Sequence, residues 1–152
     1  MQPIILLGFV LFMNSTYPLD TLKNGPRKQM EGVQLTLTGI YTHDEILYYR
    51  LVVLNRSNLV YDVDALRFSI KDRKKLKRHA FQEIFLDPLW IRGDVARIPP
   101  GARVVWWVAL RKEVLPRDQY LDIGLLERHG ARHLHLSVKY TSVLHAKIVN
   151  QL

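Results

Sequence analysis

The chain of 152 residues contains no cysteine. This excludes disulfides, thiolate nucleophiles and cysteine-based zinc or iron–sulfur sites. It does not fix the compartment, because a protein without thiols folds equally well in oxidising and reducing surroundings. No glycine-rich phosphate loop is present, and no serine sits in a nucleophile elbow. No segment carries a helical apolar stripe longer than about three turns. Internal repeats and long low-complexity tracts are also missing.

Long apolar runs are scarce. Ile4 to Met13, IILLGFVLFM, is ten residues long. A helix needs about 20 apolar residues to cross a bilayer, so this run is too short. It suits the apolar core of a signal peptide, although Met1-Gln2-Pro3 supplies no basic residue and no small-x-small cleavage site follows. It suits a buried first strand as well. Residues 1–17 are read as this apolar segment, 18–32 as a linker holding two Pro and two Gly among charges, and 33–152 as one domain.

Hydrophobic content of 48% and charged content of 24% are those of a globular chain that can bury a core without a metal or disulfide staple. The charge is unevenly spread. Of 22 Lys and Arg, seven lie in Arg67 to His79, RFSIKDRKKLKRH, beside the single acid Asp72, so this stretch nets +6 of the chain's +8. Lys71, Arg73, Lys74, Lys75, Lys77 and Arg78 are the candidate interaction residues. Such a run suits nucleic acid, anionic lipid or an acidic protein, and equally a solvated connection that keeps a strand edge soluble. Only Phe68 and Phe81 flank it, so it lacks the aromatic interleaving of a single-strand binder.

Beyond the linker the pattern is β. Val33 to Tyr41 alternates, with Val33, Leu35, Leu37 and Tyr41 on one face and Gln34, Thr36 and Thr38 on the other. Thr42-His43-Asp44 reads as a turn. Glu45 to Leu54 reads as a central strand covered on both faces, and Asn55-Arg56-Ser57-Asn58 as the next turn. From Leu59 to Lys71 the apolar residues move from odd positions (Tyr61, Val63) to even ones (Leu66, Phe68, Ile70), which predicts a β-bulge near Ala65. A strand is expected over 81–86, an irregular connection over 87–102, and a third strong strand over Arg103 to Leu110 with at least one of Trp106 and Trp107 in the core. Strands at 120–127 and 132–139 flank the turn Arg128-His129-Gly130-Ala131, and the tail from Tyr140 reads as a short helix or a last strand. These short strands predict an all-β, antiparallel, immunoglobulin-like β-sandwich.

Candidate chemistry is thin. His133 and His135 share a strand face near His129 and Glu127, a spacing open to zinc or copper. Leu134, Leu136 and Val138 claim the buried face, so the histidines are expected on the solvent side with no metal. Asp62 and Asp64 share a face as paired carboxylates do in glycosidases, without a sugar-binding cleft. Glu127 and Arg132 bracket the hairpin loop and are read as a structural charge pair worth well under ~1 kcal/mol if exposed. Asn14 and Asn55 head glycosylation sequons, a pattern common by chance.

Three stretches together carry a resemblance: residues 32–83, IPPGARVVWWVAL at 98–110, and YLDIGLLERHGARHLHLSV at 120–138. Their order is similar to the C-terminal part of the TraN family of Bacteroides-type conjugative transposons. The most specific pieces are the Asn55-Arg56-Ser57 turn with Tyr61-Asp62 and Asp64, the basic connection into Gln82-Glu83, and Glu127 with Gly130 and Arg132. The resemblance implies a non-enzymatic, exported subunit of a type IV secretion apparatus, placed in the periplasm or the outer-membrane-associated envelope. It implies other conjugative-transfer envelope proteins as partners, an oligomeric assembly, and neither a cofactor nor a small-molecule substrate. Family members carry a substantial region before this domain. Only about 30 residues precede it here, so the chain reads as a truncated copy, a fragment or a standalone module. The alternative expectation is a non-catalytic module binding nucleic acid or anionic lipid through the basic 71–79 loop.

Overall fold

A computed structural model describes residues 22–73 and 83–149. Among these described residues, eleven strands and one short helix follow in the order β1 (Arg27–Met30), β2 (Val33–His43), β3 (Ile46–Asn55), β4 (Tyr61–Asp72), β5 (Glu83–Leu86), β6 (Trp90–Arg92), β7 (Arg97–Ile98), β8 (Arg103–Arg111), β9 (Gln119–Glu127), β10 (Leu134–Lys139), α1 (Tyr140–Leu144) and β11 (Lys147–Ile148). They form two sheets. One has the order β1-β2-β3-β8-β6, with β11 also on β2; the other has the order β10-β9-β4-β5, with β7 also on β4. The expected all-β sandwich is what the chain forms. Every pairing is antiparallel except the two-residue parallel contact of β11 with β2.

Period-2 alternation builds the core. Leu35 and Leu37 of β2, Tyr49 and Leu51 of β3, Trp106 and Val108 of β8, Phe68 of β4, Ile123 of β9 and Leu136 of β10 meet in one buried cluster between the sheets. β3 and β8 are also covered on their outer face, where Tyr48, Trp107 and Ala109 form a second cluster with Tyr41 and Val149. Trp106 and Trp107 are therefore both buried.

Two bulges set which side chains reach the core. The one expected near Ala65 lies between Val63 and Ala65, and it lets Tyr61 and Val63 before it and Phe68 and Ile70 after it all face inward. The other, between Leu37 and Gly39, is not visible in the alternation. It corrects the facing of Tyr41. Ile40 takes the inner side, and Tyr41 turns to the outer cluster against Trp107, with ring centroids 5.5 Å apart.

The segment 18–32, read as a linker, ends in β1. Glu31 and Gly32, both at positive φ, close a two-residue hairpin into β2. Asp44 and Glu45 do the same between β2 and β3, and Thr42 and His43, expected in the turn, belong to β2. The 87–102 connection is likewise not wholly irregular, since β6 pairs with β8 and β7 with β4. The chain thus passes from the second sheet to the first, back to the second, and into β8. The tail uses both alternatives, a five-residue helix followed by a short strand.

Candidate interaction site and the buried hairpin pair

Of the six basic candidates, the structure describes two. Lys71 is not in a loop. It lies in β4 beside Glu83 of β5 and Asp122 of β9, with Nζ 3.5 Å and 3.3 Å from their carboxylates. Ser69 donates a 2.8 Å hydrogen bond to the same Glu83, and His135 Nδ1 sits 2.9 Å from Asp122. Burial alone would lower the Lys71 pKa. The charge and hydrogen bond of Asp122, with Glu83, outweigh it and raise the pKa. Lys71 is thus compensated inside its own sheet. Arg73 is exposed, and its backbone N–H donates to Asp118 O at 2.7 Å. Lys74, Lys75, Lys77 and Arg78 lie outside the described residues, as do the 1–17 segment and Phe81.

Glu127 and Arg132 do bracket the β9–β10 connection, and the value expected for an exposed pair does not apply, because the pair is largely buried. Their side chains are only 10% and 12% exposed, and Arg132 Nη2 lies 2.6 Å from Glu127 Oε1. Arg132 Nε and its backbone N–H also donate to the same carboxylate at 3.1 Å. The remaining donors cross the molecule, Nη1 to Ser57 Oγ and Nη2 to Val60 O, each at 3.0 Å. Tyr61 lies under the guanidinium at 5.2 Å and donates its hydroxyl to Arg132 O at 2.6 Å. Hydrogen bonding from Arg132 holds the Glu127 carboxyl below the ordinary range, against the opposing effect of burial. Burial, with the nearby Glu127 charge, pushes the Tyr61 hydroxyl up despite the lowering effect of Arg132. Gly130 is required here, because a Cβ at that position would fall on the Glu127 carboxylate.

Asn55 completes the network. It is fully buried, its Nδ2 donates to Leu59 O at 2.8 Å and Ile98 O at 3.0 Å, and its Oδ1 accepts from Ser57 N and Oγ. A glycan has no access to that amide, so the Asn55 sequon is structural. Asn55, Ser57, Tyr61, Glu127 and Arg132 thus form one largely buried polar joint between the β3–β4 turn and the last hairpin, with Gly130 exposed beside it. Five of the residues singled out for the family resemblance, Asn55, Ser57, Tyr61, Glu127 and Arg132, meet in it.

The other candidates separate. His133 accepts the Glu127 backbone N–H at 3.1 Å, while His135 faces Asp122. Among the described residues no group of three or more His, Asp or Glu is placed to hold a metal ion. Asp62 and Asp64 each face an exposed arginine, Arg97 at 3.4 Å and Arg128 at 3.8 Å. The Ser69–Lys71–Glu83–Asp122–His135 cluster was missed in the sequence. Its one signal is that polar residues occupy alternate positions of β4 and β10 and that Asp122 interrupts the apolar run of β9, and only the strand register shows which of them meet.

No helix among the described residues is long and apolar enough to cross a membrane. A search of curated proteins finds no match. Among solved structures, the chain is similar to the X-ray structure of Northeast Structural Genomics Consortium target SoR45, with 15% identity over 70% of this chain and 79% of that one. The TM-score is 0.33, and a likeness at that level carries no argument. The model of the family described as Domain of unknown function (DUF4138) matches residues 11–148, nearly the whole chain, and the protein belongs to that family.

Proposed function

We propose that this protein is a structural subunit of a conjugative transfer (type IV secretion) apparatus, related to the C-terminal part of TraN and acting by protein–protein docking in the cell envelope. The observation that carries this reading is the TraN-like order of stretches within residues 32–138, all of it inside the family match. A rigid two-sheet scaffold with an internally compensated polar joint suits assembly, where shape and apolar anchors supply affinity and charge supplies orientation and on-rate. The exposed Arg73, with Lys74, Lys75, Lys77 and Arg78 that follow it in the sequence, is assigned to an acidic neighbour.

The test is an affinity pull-down of the tagged chain from envelope fractions of its native host, read by mass spectrometry and by mating efficiency. Recovery of other transfer proteins, reduced when Lys74, Lys75, Lys77 and Arg78 are replaced by Glu, is the expected result. Unchanged recovery and mating in that variant sinks the role of the basic run. The +6 charge of residues 67–79 favours a second reading, a binding module for nucleic acid or anionic lipid. Recovery of no transfer protein, with duplex DNA or anionic vesicles retained in a steeply salt-dependent way, selects it.

A further inference from the structure

The tail of the described chain is held lightly. No residue of α1 is buried. Beyond it, β11 adds only Lys147 and Ile148 to the edge of β2, opposite Tyr41 and Thr42. Val149 is the anchor. Its backbone N–H donates to Thr42 O at 3.0 Å, and its buried side chain joins Tyr41 and Trp107 in the outer cluster. Its carbonyl meets a side chain from 106 residues earlier, with His43 Nδ1 at 2.7 Å. The other nitrogen of that ring, Nε2, lies 3.0 Å from the Asp44 carboxylate. His133, His135 and His145 each use one ring nitrogen, so the double contact sets His43 apart from them.

A carbonyl and a carboxylate both accept hydrogen bonds. Each ring nitrogen must therefore carry a proton for both contacts to be hydrogen bonds, and only the imidazolium carries two. A neutral ring keeps one contact and turns a lone pair on the other oxygen. We infer that His43 is a pH-dependent latch for the tail: protonated, it ties Val149 to the β2–β3 hairpin, and on losing its proton it loosens residues 147–149 from the edge of β2. The charged ring gives the Val149 carbonyl a charge-assisted bond, and Asp44 holds the ring in the orientation that makes it. The surrounding charges agree. On the hairpin, Asp44 faces the ring, while Glu45 is engaged by Lys112 at 2.6 Å. From β3 the register partner of His43 is the apolar Ile46, and Arg111 of β8, opposite Ile46, is exposed. On the tail the charge is the exposed Lys147, opposite Tyr41. Among the described residues, Asp44 is the charged group in ion-pair contact with the ring. Loosening the tail frees Thr42 O on the β2 edge. The latch does not depend on the conjugation reading.

The test is made on the full chain by NMR at pH about 5.5 and about 7.5, which bracket the range where imidazole side chains change charge. Two quantities are read: the ring nitrogen signals of His43, and hydrogen exchange of the Val149 amide corrected for the intrinsic rate at each pH. The expected result is two protonated ring nitrogens at the acid value, with the Val149 amide protected about threefold or more better there. His43→Gln should abolish that difference. Asp44→Asn should reduce it, and asparagine suits the positive φ of that turn position. Equal protection at the two pH values overturns the latch, as does a difference that survives His43→Gln. An undiminished difference in Asp44→Asn overturns the two-acceptor arrangement. A wild-type ring with only one protonated nitrogen at the acid value overturns the proposal without any substitution, so it stays falsifiable even where a variant disturbs the hairpin.

Discussion

The Arg132 guanidinium lies 2.6 Å from the Glu127 carboxylate, in a position where both side chains are almost wholly withdrawn from solvent. Every nitrogen of Arg132 has a partner, and two of those partners, Ser57 and Val60, belong to the far β3–β4 turn. The pair therefore joins two connections that are more than 60 residues apart in the chain. Removing one member leaves the other charge buried without a counterpart. Arg132→Ala and Glu127→Gln are each expected to destabilise the fold by about 2–4 kcal/mol. Arg132→Lys should recover little, because an ammonium cannot fill the fork. Urea unfolding of the three variants checks this. Losses within 0.5 kcal/mol of zero, as for an exposed pair, contradict it.

Gly130 has a steric reason to be glycine, and the reason is Glu127. Gly130→Ala is expected to cost about 1–3 kcal/mol by displacing the carboxylate from Arg132. In a Glu127→Ala background the same change should cost almost nothing. A double-mutant cycle measures that coupling, and additive losses would place the strain elsewhere.

Asn55 satisfies two carbonyls and the Ser57 turn from a fully buried position. Asn55→Ala should cost about 2–4 kcal/mol through the unsatisfied groups it leaves. The same chain expressed with a glycosylation system should carry no glycan at Asn55, which peptide mapping by mass spectrometry reads directly.

Stability should fall on both sides of neutral pH. Glu127 titrates below its ordinary value of 4.5 in the fold, because Arg132 donates to it. The stabilisation is complete above that value and is lost as pH falls through the lower folded one. Lys71 titrates above its ordinary 10.5 and Tyr61 above its ordinary 10.0. Their contributions are complete below those values and are lost as pH rises through the folded ones. Chemical unfolding across pH should show the acid limb flattened in Glu127→Gln. An unchanged acid limb would assign acid sensitivity to other carboxylates.

Lys71 and Lys74 should behave oppositely although both belong to the basic run. Lys71→Ala leaves Asp122 with less compensation and should cost about 1–3 kcal/mol. Lys74→Ala should stay within about 0.5 kcal/mol in stability and act on binding alone. Thermal melts alongside the pull-down separate the two.

The sequence by itself determined the fold class, because period-2 alternation is a local property and each strand displays it without its neighbours. It also determined the bulge near Ala65, since a slip of one residue shifts the apolar parity in plain view. The bulge near Gly39 left no such mark. Ile40 and Tyr41 are both apolar, and either reads as inward until the sheet is paired. Only tertiary structure decided that Lys71 is spoken for, that Asn55 is buried and that Glu127 with Arg132 forms a joint. Each depends on which strands lie side by side and how deeply the contact sits. Burial turns an exposed pair of small value into a buried one that is costly to break, and spacing along a chain carries no information about depth.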